Sequence, residues 1–273
     1  MTVMRTPGAI DLSPLTQART TLIALDFDGV IAPLQDDPAT SAPLPASAEA
    51  VRALSALPLT PVGFISGRDL AVLRTLSRAP EPTLFIGSHG LETDFSALEA
   101  SSATAFFAPL TEEERGALAA LDAALERIAA EDQGGPGGPL RIERKPLGRT
   151  AHTRGLPAAR AAHLTARLRE LAEAMPRLRS FAGHDMTEFA VRMETKGDGL
   201  ERMIAATGAE AVLFIGDDVT DEDAFARLQR STADSVAVKV GEADTLAPLR
   251  IADPEAVAEL LGRLAVERAA ALH

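Results

Sequence analysis

Leu22-Ile23-Ala24-Leu25-Asp26-Phe27-Asp28-Gly29 is the stretch on which the reading of this chain turns. Four apolar residues in a row run straight into two carboxylates spaced two apart. A short unbroken apolar run reads as a strand buried on both faces, the mark of a parallel sheet covered by helices. Residues two apart in extended chain face the same way, so both carboxylates address one space. Carboxylates that crowd together repel unless a cation or a proton sits between them.

The same design recurs along the chain. Val62–Ile65 leads into Ser66, Leu84–Ile86 into Gly87 and His89, and Val212–Ile215 into Gly216, Asp217 and Asp218; Val236–Val240 is a fifth run. Helical patterns between them cover 46–57, 69–78, 199–207 and 221–230. The pattern predicts an α/β fold with a parallel, Rossmann-like sheet. In such sheets ligands bind beyond the carboxyl ends of the strands, and here those ends carry the polar clusters.

The middle of the chain breaks this alternation. Residues 111–130 and 156–175 read as amphipathic helices, QGGPGGP at 133–139 as a loop, 140–153 as a hairpin, and 178–182 and 186–192 as strands. The expected organisation is a core of residues 1–108 and 193–273 with an inserted α/β domain at 109–192.

The 273 residues weigh 28.6 kDa, are 46% hydrophobic and 24% charged, and so suit a globular chain with a sizeable core. With 27 basic and 39 acidic side chains the net charge is −12, which argues against a nucleic-acid partner. Trp and Tyr are absent, and the 10 Phe read as core residues, leaving no stacking platform for single strands. Cys is absent too, which removes disulfides and thiolate chemistry. No apolar run reaches the ~20 residues of a membrane helix, and the first residues lack an apolar signal region, so a cytoplasmic protein is expected.

Three further clusters carry candidate chemistry. Asp217 to Asp223 holds five carboxylates in seven residues; the helix dipole explains Asp221, Glu222 and Asp223 better than Asp217 and Asp218. Ser66-Gly67-Arg68 offers a hydroxyl and amides for a phosphate, or a plain helix cap. Lys196-Gly197 offers a cation for a phosphoryl oxygen, or a surface lysine.

Taken in order, Asp-x-Asp-Gly, Ser, Lys-Gly and Gly-Asp-Asp resemble the haloacid dehalogenase superfamily, and the middle block resembles its mobile cap. Gly87-Ser88-His89-Gly90-Leu91-Glu92, Glu143-x-Lys145, His152-x-Arg154, Gly183 with Glu188, and Gly216 through Phe225 resemble the motifs of trehalose-6-phosphate phosphatases. Val30, Thr153 and Ala190 depart from that pattern, standing where Thr, Tyr and Arg are common. The resemblance implies a phosphatase acting on a phosphosugar, with a functional link to a trehalose-6-phosphate synthase. It implies Asp26 as nucleophile, Asp28 as acid and base, and Ser66 and Lys196 on the phosphoryl oxygens. It also implies Mg2+ held by Asp26, the Asp28 carbonyl and Asp217, with Asp218 or Asp221 nearby. Ser66, Gly67, Arg68, His89, Glu143, Lys145, Arg154 and Glu188 would contact substrate. From the residues alone, Glu143, Lys145, His152 and Arg154 better suit a ladder of surface ion pairs. Another phosphorylated glycoside as substrate, or a non-catalytic phosphosugar-binding module, stays open at this point. His163, His184 and His273 fit no pattern and read as surface residues.

Overall fold

The computed structural model describes residues 3–98, 110–132, 136–183, 185–192 and 194–272. In chain order its strands are β1 (Thr21–Leu25), β2 (Val62–Ile65), β3 (Thr83–Gly87), β4 (Glu92–Asp94), β5 (Arg141–Lys145), β6 (Gly148–His152), β7 (Arg179–Gly183), β8 (Met186–Ala190), β9 (Ala211–Gly216), β10 (Asp234–Val240) and β11 (Leu249–Ile251). Its helices are α1 (Ser13–Gln17), α2 (Pro45–Ser55), α3 (Leu70–Ser77), α4 (Glu112–Glu131), α5 (Ala158–Ala174), α6 (Lys196–Thr207), α7 (Glu222–Leu228) and α8 (Pro254–Ala271). They fall into two compact units, one within Met1–Phe107 and Glu194–His273, the other within Ala108–Met193.

The first unit is a seven-stranded sheet in the order β11-β10-β9-β1-β2-β3-β4. All its pairings are parallel except β3 with β4. Every residue of β1, β2 and β9 is buried, and the two sheet faces take alternate side chains. Ile23, Leu25, Leu213 and Ile215 pack with Val51, Leu54, Leu73, Leu260 and Leu264. Leu22, Ala24, Val212 and Phe214 pack with Leu200, Met203 and Phe225. Strand succession runs outward in both directions from the β1/β9 pair, so the crevice at a topological switch point lies where β1 delivers Asp26 and β9 delivers Asp217.

Sequence patterns missed four elements. β4 and β11 have three residues each, too few for a periodicity, and α1 is a single short turn. α8 does carry a signal: Asp253 caps it by accepting from the Ala256 amide, Pro254 opens it, and Val257, Leu260, Leu261 and Leu264 form its buried stripe.

α8 also buries Arg268 completely. Its guanidinium donates to Thr60 Oγ1 at 2.8 Å and to the carbonyls of Leu15, Ala18, Arg19 and Leu59 at 2.8 to 3.1 Å. One side chain thus ties α8 to the segments that precede β1 and β2. Arg268→Leu removes these hydrogen bonds, leaving the Ala18 and Arg19 carbonyls without this donor while Thr21 still serves Leu15 O and Leu59 O, and is expected to remove about 3–5 kcal/mol of stability. That corresponds to a thermal midpoint lower by about 5–10 °C. Far-UV circular dichroism reads it, and an unchanged midpoint would refute the clamp.

The second unit is a four-stranded antiparallel sheet in the order β5-β6-β8-β7. One face packs Ala151 and Phe189 against Leu121, Leu125, Leu164 and Leu168 of α4 and α5. Its hairpin and both helices lie where the sequence places them, and α4 begins at a capping box of Thr111 and Glu114. The loop at 133–139 falls partly outside the described residues.

Candidate active site

Asp26 leaves β1 hydrogen-bonded to its neighbour strand: its amide donates to Ile215 O at 2.9 Å. Its carboxylate is nearly fully buried and takes the Phe27 amide at 2.7 Å. Lys196 Nζ lies 2.8 Å from Asp26 Oδ2 and 2.7 Å from Asp221 Oδ1, all three groups being at most 6% exposed. Asp221 Oδ2 in turn accepts the amides of Asp217 and Asp218 at 3.0 and 2.9 Å. The helix dipole therefore does not account for Asp221: its side chain folds back under the loop that carries Asp217.

Two glycines make this close approach feasible. A Cβ on Gly29, whose φ is +72°, would sit 1.9 Å from Asp217 Oδ2. A Cβ on Gly216 would sit 2.3 Å from Asp221 Cγ. Gly29 clears space for a carboxylate of the other cluster, and Gly216 for one of its own.

Charge follows from this crowding. Burial pushes the Asp26 carboxyl well above the ordinary range; Lys196 opposes that, while Asp221 and Asp217 reinforce it. Asp217 is pushed up to about 7, by burial first and then by Asp221 and Asp218, against Lys196 and Lys239. For Lys196 burial favours the neutral amine, but Asp221 and Asp26 outweigh it and hold the ammonium. Lys196 also opens α6, where the helix dipole disfavours a cation, so its two carboxylate partners keep it there.

Asp26, Asp217 and Asp221 each offer an oxygen, all within 4.8 Å of one another. This is an excess of negative charge on hard oxygen donors, the donor chemistry of magnesium. Asp28 and Asp218 stand apart from the trio. Asp28 pairs with Arg68, whose Nε and a terminal nitrogen lie 2.6 and 2.7 Å from its two oxygens. Asp218 is exposed and caps the following turn by accepting from the Val219 amide at 2.7 Å.

Ser66 is buried at the end of β2, and its Oγ accepts the Arg68 amide at 3.2 Å. It is not the cap of α3: Asp69 takes that role through the Val72 amide. Gly67 lies under the His89 ring, with its missing Cβ 2.3 Å from His89 Cε1. Glu92 of the same motif accepts the Leu70 amide at 2.5 Å, tying β4 to the start of α3. The Gly-x-His-Gly-x-Glu motif therefore buttresses the Ser-Gly-Arg loop.

Lys239 escaped the sequence reading. It is 1% exposed in β10 and its Nζ donates to the Asp217 carbonyl. Its signal was a lone cation inside an apolar strand, which packing alone does not favour.

In the second unit, Glu143 and Lys145 lie on the sheet face turned away from α4 and α5, Glu143 in register with Thr150, Glu188 and Phe181. Lys145 Nζ pairs with Glu188 Oε2 at 2.8 Å, and His152 Nε2 meets Glu143 Oε2 at 2.9 Å. The His152 contact is the main reason the Glu143 carboxyl lies below its ordinary range. Arg154 lies beyond this strand: β6 ends at His152, and Arg154 is an exposed turn residue whose amide donates to Asp185 O. The expectation that the phenylalanines fill the core needs one correction. Phe27, Phe64, Phe85, Phe95, Phe189, Phe214 and Phe225 are buried, but Phe181 is only half-buried on this polar face. Phe106 and Phe107 lie outside the described residues, as do His184 and His273; His163 is exposed.

Against known proteins, the model of the trehalose-phosphatase family matches residues 24–255. The chain belongs to that family. It is 29% identical over 281 residues to the trehalose-phosphate phosphatase of Mycobacterium leprae, an alignment covering 95% of this chain and 61% of that protein. It is 32% identical over 271 residues to an uncharacterized glycosyl hydrolase of Mycobacterium tuberculosis, covering 94% of this chain and 19% of the other. This trehalose-phosphatase family member thus spans less than two thirds of those relatives. Its fold matches the C-terminal domain of the C. albicans trehalose-6-phosphate phosphatase, with TM-score 0.80, 22% identity, and coverage of 97% and 99% of the two chains. Among the described residues no helix is long and apolar enough to cross a membrane.

Proposed function

We propose that this chain hydrolyses trehalose 6-phosphate to trehalose and phosphate, with Mg2+, through an aspartyl-phosphate on Asp26. The observation that carries the reading is the buried Lys196 bridging Asp26 and Asp221, with Asp217 beside them. A carboxylate at a strand tip, backed by a fixed cation, is placed to attack phosphorus in line. Asp28 donates a proton to the departing sugar oxygen and then takes one from the attacking water. Ser66 and Lys196 hold the remaining phosphoryl oxygens. Asp26, Asp217 and the Asp28 carbonyl hold the metal, with Asp221 behind them, and the metal would neutralise charge on the phosphoryl group. Glu143, Lys145 and Glu188 offer directional partners for sugar hydroxyls. A synthase that forms the same phosphodisaccharide is the functional partner this reading calls for.

The test is phosphate release from trehalose 6-phosphate, with and without Mg2+, beside glucose 6-phosphate and sucrose 6-phosphate. Metal-dependent release selective for trehalose 6-phosphate supports the reading. Release from another ester alone keeps the chemistry and discards the sugar. No release from any ester discards both.

The role of the second unit has its own check. Glu143→Ala is expected to lower kcat/KM for trehalose 6-phosphate by about 10–100-fold. The same variant should hydrolyse 4-nitrophenyl phosphate within about threefold of the wild type. Equal losses on both esters would argue against sugar recognition by this face.

A further inference from the structure

From Leu34 to Ala46 every residue is exposed or half-buried except one, Ser41, which is 3% exposed. The segment is pinned on both sides of it. Asp37 caps the Pro38–Thr40 turn by accepting the Ala39 amide, and the Leu44 amide donates to Ile31 O at 3.0 Å. Pro38, Pro43 and Pro45 restrict the backbone further. A surface loop that dips inward at a single residue ordinarily does so with an apolar side chain; here it delivers a hydroxyl.

That hydroxyl meets Asp28. Ser41 Oγ lies 3.0 Å from Asp28 Oδ1, and a terminal nitrogen of Arg68 donates to Ser41 Oγ at 2.9 Å. Arg68 has only donors and the hydroxyl has one proton, so the Ser41 proton points to Asp28. Two donors therefore converge on Oδ1, from Ser41 and Arg68, while Oδ2 takes only Arg68 Nε at 2.6 Å. Arg68 is itself fixed, its Cζ 5.7 Å from the Phe27 ring centroid.

We propose that Ser41 is a positioning residue for Asp28: it ties down Oδ1 and so makes Oδ2 the oxygen that addresses the departing oxygen of the substrate. A reacting group reaches Oδ2 by displacing one hydrogen bond, whereas Oδ1 requires two. The inference rests on the reading of Asp28 as the acid. In that step the bond from Asp26 to phosphorus forms, the bond from phosphorus to the sugar oxygen breaks, and the Asp28 proton passes to that oxygen. A sugar alkoxide needs this proton; a 4-nitrophenolate leaves without it.

The test compares kcat/KM of Ser41→Ala on trehalose 6-phosphate, glucose 6-phosphate and 4-nitrophenyl phosphate, with Mg2+ present. kcat/KM reports events up to the first phosphoryl transfer, so the later hydrolysis of the enzyme ester does not mask the result. The sugar esters are expected to lose at least tenfold more than the aryl ester, and Ser41→Thr, which keeps the hydroxyl, should recover most of the loss. Equal losses on all three esters, or no loss on any, overturn the proposal. If the wild type spares trehalose 6-phosphate but cleaves glucose 6-phosphate, the sugar assignment fails while the Ser41 ratio is still read on the latter. A wild type that cleaves none of them overturns both.

Discussion

Asp26→Asn should reduce trehalose 6-phosphate turnover by at least about four orders of magnitude and, in metal-free buffer at neutral pH, raise the thermal midpoint. The two effects have one origin. Asp26 is buried beside Asp217 and Asp221, and its carboxyl is pushed well above the ordinary range. Holding it ionised therefore costs the fold free energy, which the neutral, isosteric amide does not demand. Lys196 keeps a carboxylate partner in the variant, because Asp221 lies 2.7 Å from its Nζ. The amide cannot form the aspartyl ester, so activity falls by what loss of a nucleophile costs, of order 10⁴ or more. The check pairs phosphate release with thermal unfolding of both proteins. Residual activity near wild type would place the nucleophile elsewhere. A lower midpoint would mean that Asp26 is stabilised as an anion and would undo the charge argument.

This coupling of strain to function bears on what the sequence reveals. Buried parallel strands announce themselves as unbroken apolar runs, and the site sits at their ends, so Asp26, Ser66 and Asp217 could be placed from local pattern alone. Lys196 was identifiable only as one motif among several. Its partner Asp221 looked like a helix-dipole acid, because the fold-back that buries it depends on the missing side chain of Gly216. Lys239 sits inside a stretch that reads as plain strand, and its contact is with a backbone carbonyl 22 residues away. Ser41 has no motif at all: its link to Asp28 spans 13 residues of proline-punctuated loop and exists only in three dimensions. Arg154 marks the opposite error. The spacing from His152 placed it on a strand face, but the strand ends before it. Period-two reasoning holds only while the chain stays extended, and strand ends are where it fails.

Lys196→Met tests the same cluster from the cationic side, and its effect on the fold should depend on pH. The loss of phosphate release is expected to exceed about a thousandfold at every pH, since the phosphoryl group loses its fixed cation. For the fold, the sign follows from linkage. Asp217 titrates near 7 in the folded protein against an ordinary value of 3.8. Between those values the folded state binds more protons than the unfolded one, so stability falls as pH rises through that window. In the wild type the slope amounts to on the order of 4 kcal/mol across the window, part of it offset by other groups. Lys196 restrains the rise at both Asp26 and Asp217. Without it both carboxyls hold their protons to higher pH, and breaking the buried pairs adds about 3–5 kcal/mol of cost wherever the carboxylates are ionised. The variant should therefore stay folded near pH 5 and lose far more of its thermal midpoint than the wild type by pH 8. Added Mg2+ should restore the midpoint at pH 8, by binding the folded state only, without restoring activity. Parallel pH profiles for the two proteins would show that Lys196 does not govern the charge of the cluster. A variant whose midpoint ignores Mg2+ at pH 8 would instead remove Asp26 and Asp217 as the seat of the metal.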